Sequence, residues 1–438
     1  MSFFKRLRTL IRDECGNTLA IGAAAMPIII GGAGLAIDTV QISLAKRELQ
    51  RAADSAALAG AYAINQNPSS TGTARTTFAQ NGVTRDLQIN NDETLASAAV
   101  VENAPTVGSY AGNTNAVRVR LTTSKTLSFF SFFNTGPAVI TVEATGAIVR
   151  DGGFCMLSLE DGNAPGITVG GNATLNLGCG ISTNSRSATA ITAEGSSTVR
   201  ASPVMAVGGV PTSANFNGAT LIPYSAVQLD PYANLPNPAP TGCRAPPEIG
   251  PNDTVSIGPG TAGWNVAEGS ICLNGLDVKG NLDFPSGAIV YIDGGELSFG
   301  AQAHVTGTGV TFVLTSTNAT SNPSSVASVA ELDLNGGADI DITAPTTGPY
   351  AGVAFYEDRR APVGRTIRFN GNSGNTINGA MYFPNSYFEY NGNAQTTATC
   401  FQLIARRLDF RGNGTIQNSC SGGGNTDNFE GTYVRLVG

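Results

Sequence analysis

Twenty residues from Thr18 to Ile37, TLAIGAAAMPIIIGGAGLAI, run without a single charge. As a helix rising about 1.5 Å per residue they would be roughly 30 Å long, the thickness of bilayer hydrocarbon. Four basic residues, Lys5, Arg6, Arg8 and Arg12, stand before the run. This predicts a basic cytoplasmic segment over 1–17, a transmembrane helix over 18–37, and export of the rest of the chain. The run is longer than the core of a secretory signal and has no A-x-A site at its edge, which favours a retained signal anchor. The basic flank argues against a buried core helix.

From 38 to 64 the pattern changes to a stripe. Val40, Leu44, Leu49, Ala52, Ala53, Ala56, Ala57, Ala59, Gly60 and Ala63 recur at helical spacing, with Lys46, Arg47, Glu48 and Arg51 on or beside the polar side. The helix is therefore predicted to continue outside the membrane to residue 64, roughly 70 Å in all. Small side chains would let a second helix approach closely. Pro27 removes one backbone bond, which membrane helices tolerate.

Between 65 and 150 the chain reads as a small α+β domain. A short helix is predicted near Thr76–Gln80, then strands in SAAVVEN, AVRVRLTT and AVITVEATGAIV. Between the last two lies LSFFSFFNTG, whose Leu127, Phe129, Phe130, Phe132 and Phe133 are too dense for a surface loop. It is read as a short helix or turn that plugs the sheet, with contact near the bilayer as the weaker alternative.

Beyond Phe154 the pattern repeats. ITVGGNATL (167–175) and ITAEGSSTV (191–199) stand 24 residues apart, and GISTN (180–184) is loosely echoed 24 residues on by VMAVG (204–208). IRFNGN (367–372), FEYNGN (388–393) and LDFRGN (408–413) recur at 21 and 20 residues. LDVKGN at 276 precedes LSFGAQ at 297 by 21, and LDLNGG at 332 lies 35 from its neighbours on either side, one period plus an insertion. Such periods, with turns at Gly and Asn, predict coils of a parallel β-helix. The blocks fall at 154–220 and 266–438. Between them, 221–265 carries nine prolines from Pro223 to Pro259 and reads as a linker or a long loop laid along one block. The fold class is mainly β: a long N-terminal helix, a small α+β domain, then a solenoid with a proline-rich insertion.

Composition narrows the classes. The 438-residue chain has 54 glycines and only 13% charged residues, which suits short strands and turns. Net charge is −7 despite the basic start, so nucleic acid is excluded as a partner, because phosphate binding needs clustered Lys and Arg. Cys15 precedes the span; Cys155, Cys179, Cys243, Cys272, Cys400 and Cys420 follow it, an even set for an oxidising compartment. Residues one period apart sit about 4.8 Å apart on stacked coils. Hence Cys155–Cys179 and Cys400–Cys420 are the predicted bonds, with Cys243–Cys272 by elimination, among fifteen connectivities. With no C-x-x-C and one histidine, His304, a metal site is not predicted, nor any cofactor.

Candidate chemistry on the β-helix is thin. Asp333, Asp339 and Asp341, with Asp358, Arg359 and Arg360, are the groups a glycan-active groove would use, and Asp339 and Asp341 alternate onto one face. The better-supported reading is a solvated coil face with a charged loop. There is no D-x-[DN]-x-[DN]-G calcium loop, no phosphate-binding G-x-x-x-x-G-K-[ST] and no D-x-S-x-S motif.

The basic start, Gly16, the Pro27-containing run, GGAGLAID (31–38) and LAKRELQRAADSAALAGA (44–61) together resemble the N-terminal region of TadG-like proteins of the Flp/Tad type IV pilus assembly system. DPYANLP (230–236), FYEDR (355–359) and the closing CFQLIARRLDFRGNGTIQNSC resemble, less specifically, the C-terminal regions often joined to such starts. The resemblance implies a single-pass inner-membrane protein, its bulk periplasmic, contacting other Tad pilus-assembly membrane proteins through the helix. The positions that would carry this contact are Pro27, Gly31, Gly34, Asp38, Leu44, Leu49, Ala53, Ala56, Ala57 and Gly60. Prepilins carry Glu five residues after the glycine at which they are cut; the residue five after Gly16 is Ile21, so the helix is expected to remain an anchor. The leading expectation is a non-enzymatic component of a pilus or secretion apparatus. A surface adhesin or carbohydrate-binding β-helix, and then a glycan-active enzyme, are the alternatives.

Overall fold

In the computed structural model the described residues are 17–89, 99–132, 136–318, 328–370, 375–392, 395–398, 400–418 and 429–437. The basic segment with Cys15 and Gly16, together with Phe133 and Cys420, lies outside them. The chain is mostly β with two α-helices, and it divides into two compact units. One runs to Val149 and takes in the chain from Val434; the other is Arg150–Tyr433.

In the first unit, α1 (Asn17–Asn65) is one continuous helix through Pro27, as the pattern predicts. A second helix, α2 (Gly72–Ile89), is much longer than the expected Thr76–Gln80. Ala79 and Val83, one turn apart, are buried with Leu87 partly buried beside them, but Gly82 interrupts the helical signal. Gly82 is there for contact: a Cβ would lie 2.6 Å from the Ala59 carbonyl oxygen. The antiparallel strands β1 (Val100–Glu102), β2 (Ala116–Lys125) and β3 (Ala138–Ser158) form the sheet, with Val100 opposite Arg120 and Lys125 opposite Ala138. Strict alternation puts Val117, Val119, Leu121, Ile140 and Val142 against α1. The sheet comes so close that a Cβ on Gly146 would lie 2.4 Å from the Ala57 carbonyl.

The second unit is built from strands that each pair in parallel with the strand one period away. In a first ladder 270–273 pairs with 289–292, then 311–315 and 353–357. In a second, Leu276, Leu297 and Leu332 stack in register, followed by Leu334 on Phe369 and Ile367 on Phe388. A third runs 254–256, 281–284, 304–308, 339–343 and 376–378. Ile167 on Ile191 and Thr174 on Thr198 keep the predicted 24-residue register. The GISTN echo is one residue off: Ile181 pairs with Val204. A register shift between Phe154 and Met156, opposite Gly180 and Ile181, takes up the difference.

The two expected blocks are not separate. Leu403 pairs with Met156, Leu408 with Ile167 and Ile416 with Leu175, so the last coil of the later block lies directly on the first coil of the earlier one. Their inward Ile, Val, Leu and Phe side chains form one continuous buried cluster. The stack therefore begins at 244–256, runs to 401–418, continues into 154–176, and ends at 221–222.

This topology sets the task of the proline-rich stretch, which must carry the chain from one end of the stack to the other. About ten inter-strand steps of ~4.8 Å amount to roughly 48 Å. The 20 or so residues from Pro223 to Gly242 reach at most ~70 Å when extended. Of the two readings of this stretch, the loop laid along the coils is the one found. It covers an outward apolar stripe in which Tyr356 stacks on Tyr382 at 5.5 Å and Tyr232 meets Tyr382 edge-on at 5.6 Å. This is why TFVLT (311–315) and VAFYE (353–357) are buried throughout, with apolar residues on both faces instead of strict alternation: both their faces are covered.

Candidate functional site

The long helix divides into two halves with opposite environments. From 21 to 37 its large apolar side chains are bare: Ile28 is 77% exposed and Ile29 67%, with Met26, Ile30, Leu35 and Ile37 also exposed. Pro27 and Gly31 share this exposure. The helix is long and apolar enough to cross a membrane. From Leu49 onward the small-residue stripe is already occupied. Leu49, Ala53, Ala56 and Ala57 pack on α2 and the sheet, and a Cβ on Gly60 would meet Val117 at 2.9 Å. These residues, expected to face a partner helix, instead face their own domain; alanines and glycine are there because sheet and helix approach so closely. Leu44 remains exposed.

Gly34 and Asp38 belong to neither half. Asp38 is 3% exposed, and its carboxylate accepts the backbone N–H of Phe130 at 2.6 Å and of Phe129 at 3.1 Å. One turn earlier, a Cβ on Gly34 would lie 2.3 Å from the Phe129 ring. The β2–β3 connection, with a short 3-10 turn at Phe130–Phe132, is thus clasped to the helix where the apolar run ends. The expected plug of the sheet is a wedge on the helix, and only Leu127 of its described side chains is buried. The clasp was not predicted; its signal was a lone carboxylate four residues after a glycine at the close of an uncharged run.

On the sheet's other face Arg118 bonds to Glu143 and, at 3.3 Å, to Glu102, while Arg120 reaches Glu143 at 2.6 Å. The arginine hydrogen bonds hold the Glu143 carboxyl below the ordinary glutamate range.

The candidate acidic groups of the stack do not converge on a groove. Asp339 pairs with His304 at 3.0 Å on an exposed face, and Asp341 stands between Thr306 and Thr376 in adjacent coils. Asp333 lies in the neighbouring ladder beside Arg368. Asp358 is fully buried, accepting from Thr315 at 2.7 Å and from Arg360. Arg359 donates to the Leu235 and Tyr232 carbonyls, and Arg360 to that of Pro238 at 2.9 Å. The EDRR segment therefore fastens the proline-rich strap. Tyr382 donates to Asp230 at 2.7 Å, and burial pushes that carboxyl up despite the bond.

Cys155–Cys179 and Cys243–Cys272 are bonded, with Cα atoms 5.9 and 4.4 Å apart. Cys400 is also disulfide-bonded, and its expected partner Cys420 lies outside the described residues. Asp293 converges with Cys243 and Cys272, but the two sulfurs are joined and offer no thiolate. A groove of about 410 Å³ lies between 236–241 and Tyr291, yet Tyr350 in its wall is 2% exposed and offers no platform for a sugar ring.

The helix, then, is bare and apolar where a membrane would hold it and packed where its own domain holds it. Residues 16–63 match the family described as putative Flp pilus-assembly TadE/G-like. No curated protein and no solved structure matches the chain. The TadE/G-like segment coincides with α1 almost end to end and supports a role in pilus assembly.

Proposed function

We propose that this protein is a membrane-anchored, non-enzymatic structural component of a Flp/Tad-type pilus or secretion apparatus. Residues 18–37 span the inner membrane with the N-terminus cytoplasmic. The small domain over 65–150 and the stacked coils, a parallel β-helix, are periplasmic. The observation that carries this reading is the coincidence of the TadE/G-like segment with a helix whose first half is bare and whose second half is covered. A helix whose apolar side chains are already packed along 49–60 has its free apolar surface at 21–44, so contacts with other membrane proteins of the machine are made there. The coils act as a rigid spacer and contact surface, supported by the continuous core and by the use of Asp358, Arg359 and Arg360 as fasteners. Affinity isolation of the full chain from detergent-solubilised membranes tests the proposal. It predicts recovery of pilus-assembly membrane proteins with the wild type and their loss when Gly31 and Ile28 are replaced by Trp. Recovery of none of them with the wild type contradicts it.

A further inference from the structure

We infer that the part of the β2–β3 connection clasped to the helix, Phe129 and Phe130, is a second membrane contact, lying in the boundary between headgroups and acyl chains beside the span. The inference rests on the reading of 18–37 as a membrane helix. Asp38 sets the depth. A carboxylate is strongly disfavoured in hydrocarbon, so it stands at or outside the hydrocarbon edge. Two backbone N–H groups of the connection satisfy this carboxylate, which fixes Phe129 and Phe130 at its level. The Phe129 ring then covers Gly34, four residues and about 6 Å further toward the apolar run. That places the ring within the ~5–10 Å layer occupied by interfacial apolar side chains.

The surface around the clasp agrees. Val139 is 68% exposed at the start of β3 and Phe130 is 39% exposed, and on the helix Leu35 and Ile37, which flank the Gly34–Asp38 face, are exposed as well. Exposed apolar side chains thus occur both at the end of the span and on the hairpin end of the sheet that is clasped to it. The neighbouring Lys125 is exposed and able to reach anionic headgroups. A helix alone can rotate and tilt in the bilayer; a helix with a clasped interfacial wedge has one favoured rotation. The contact therefore orients the small domain against the membrane surface.

The test uses the full chain, with Trp264→Phe as background, in phosphatidylcholine–phosphatidylglycerol vesicles. Phe130→Trp, Val139→Trp and, as a control for the span, Ile29→Trp are each read by quenching with lipids brominated at shallow or deep acyl positions. The expected result is quenching of Ile29→Trp by deep bromines and of Phe130→Trp by shallow ones, each by about twofold, with blue-shifted emission. Val139→Trp, at an already exposed position, replaces Phe130→Trp should the latter misfold. If Ile29→Trp is quenched while the hairpin variants are unquenched and open to acrylamide, the inference fails and the anchor stands. If Ile29→Trp is itself unquenched, the anchor reading fails and takes the inference with it.

Discussion

Asn172 donates its side-chain amide to the Asn413 side-chain oxygen at 2.7 Å, although 241 residues separate them. Both stand at equivalent corners after a glycine, Gly171 and Gly412, and a Cβ on Gly171 would lie 3.0 Å from the Gly412 carbonyl. The pair marks the joint at which the latest coil rests on the earliest, and it makes the order of coils in space differ from their order in sequence.

Because the joint ties the two runs of coils into one core, the unit over 150–433 should unfold as one. Phe410 is fully buried at the joint, stacked in register on Val169. Phe410→Ala should cost about 3–5 kcal/mol. Trp264, packed against the far end of the core, is the reporter. Its urea midpoint should fall with the mutation; an unchanged midpoint would mean two independent blocks.

The strap should open when its fastener is removed. Arg359→Ala deletes charge-assisted bonds to two strap carbonyls and to Tyr382, a loss of about 2–4 kcal/mol. Limited proteolysis should then cut between Pro223 and Gly242. Arg359→Lys should protect only in part, because an ammonium cannot bridge several acceptors in one plane.

The register was legible where a coil follows its neighbour in sequence. Leu276, Leu297 and Leu332 are inward residues at the same point of successive coils, and the 21- and 35-residue spacings of the sequence are the pairings found. The joint escaped because stacking of the first coil on the last leaves no fixed period. Its trace is local: FRGN at 410–413 and VGGN at 169–172 share the Gly-Asn corner. The partner role expected for Ala53, Ala56, Ala57 and Gly60 was misplaced for a related reason. Small residues record close approach but not whether the approaching element belongs to the same chain.

Acid should act oppositely on the two units. Glu102 and Glu143 are held low, by hydrogen bonds from Thr106 and Arg118 respectively above all, so their stabilisation is present above the ordinary glutamate value and lost as pH falls through the depressed values. Asp230 and Glu357 are raised by burial, so their contribution is fully present below the ordinary carboxylate values and lost as pH rises through the raised ones. Hydrogen exchange against pH should show the first unit loosening on acidification before the second. Glu143→Gln should flatten that response, and Asp230→Asn should flatten the opposite trend in the strap.

Peptide mapping without reduction should return Cys155–Cys179 and Cys243–Cys272. The 24-residue separation of the first pair gives a loop whose closure is worth about 3 kcal/mol, so Cys155→Ala with Cys179→Ala should lower the unfolding free energy by that order. A peptide joining Cys155 to Cys400 would contradict the register.

The central claim concerns which half of α1 is free to meet other proteins. A photoreactive amino acid placed at Ile28 or at Ala56 of the full chain, in cells assembling the pilus, tests it most directly. Ile28 is 77% exposed and Ala56 is fully buried in its own domain. The account predicts crosslinks from position 28 to membrane proteins of the assembly machine and only intramolecular products from position 56. Intermolecular crosslinks from position 56 with none from position 28 would contradict it.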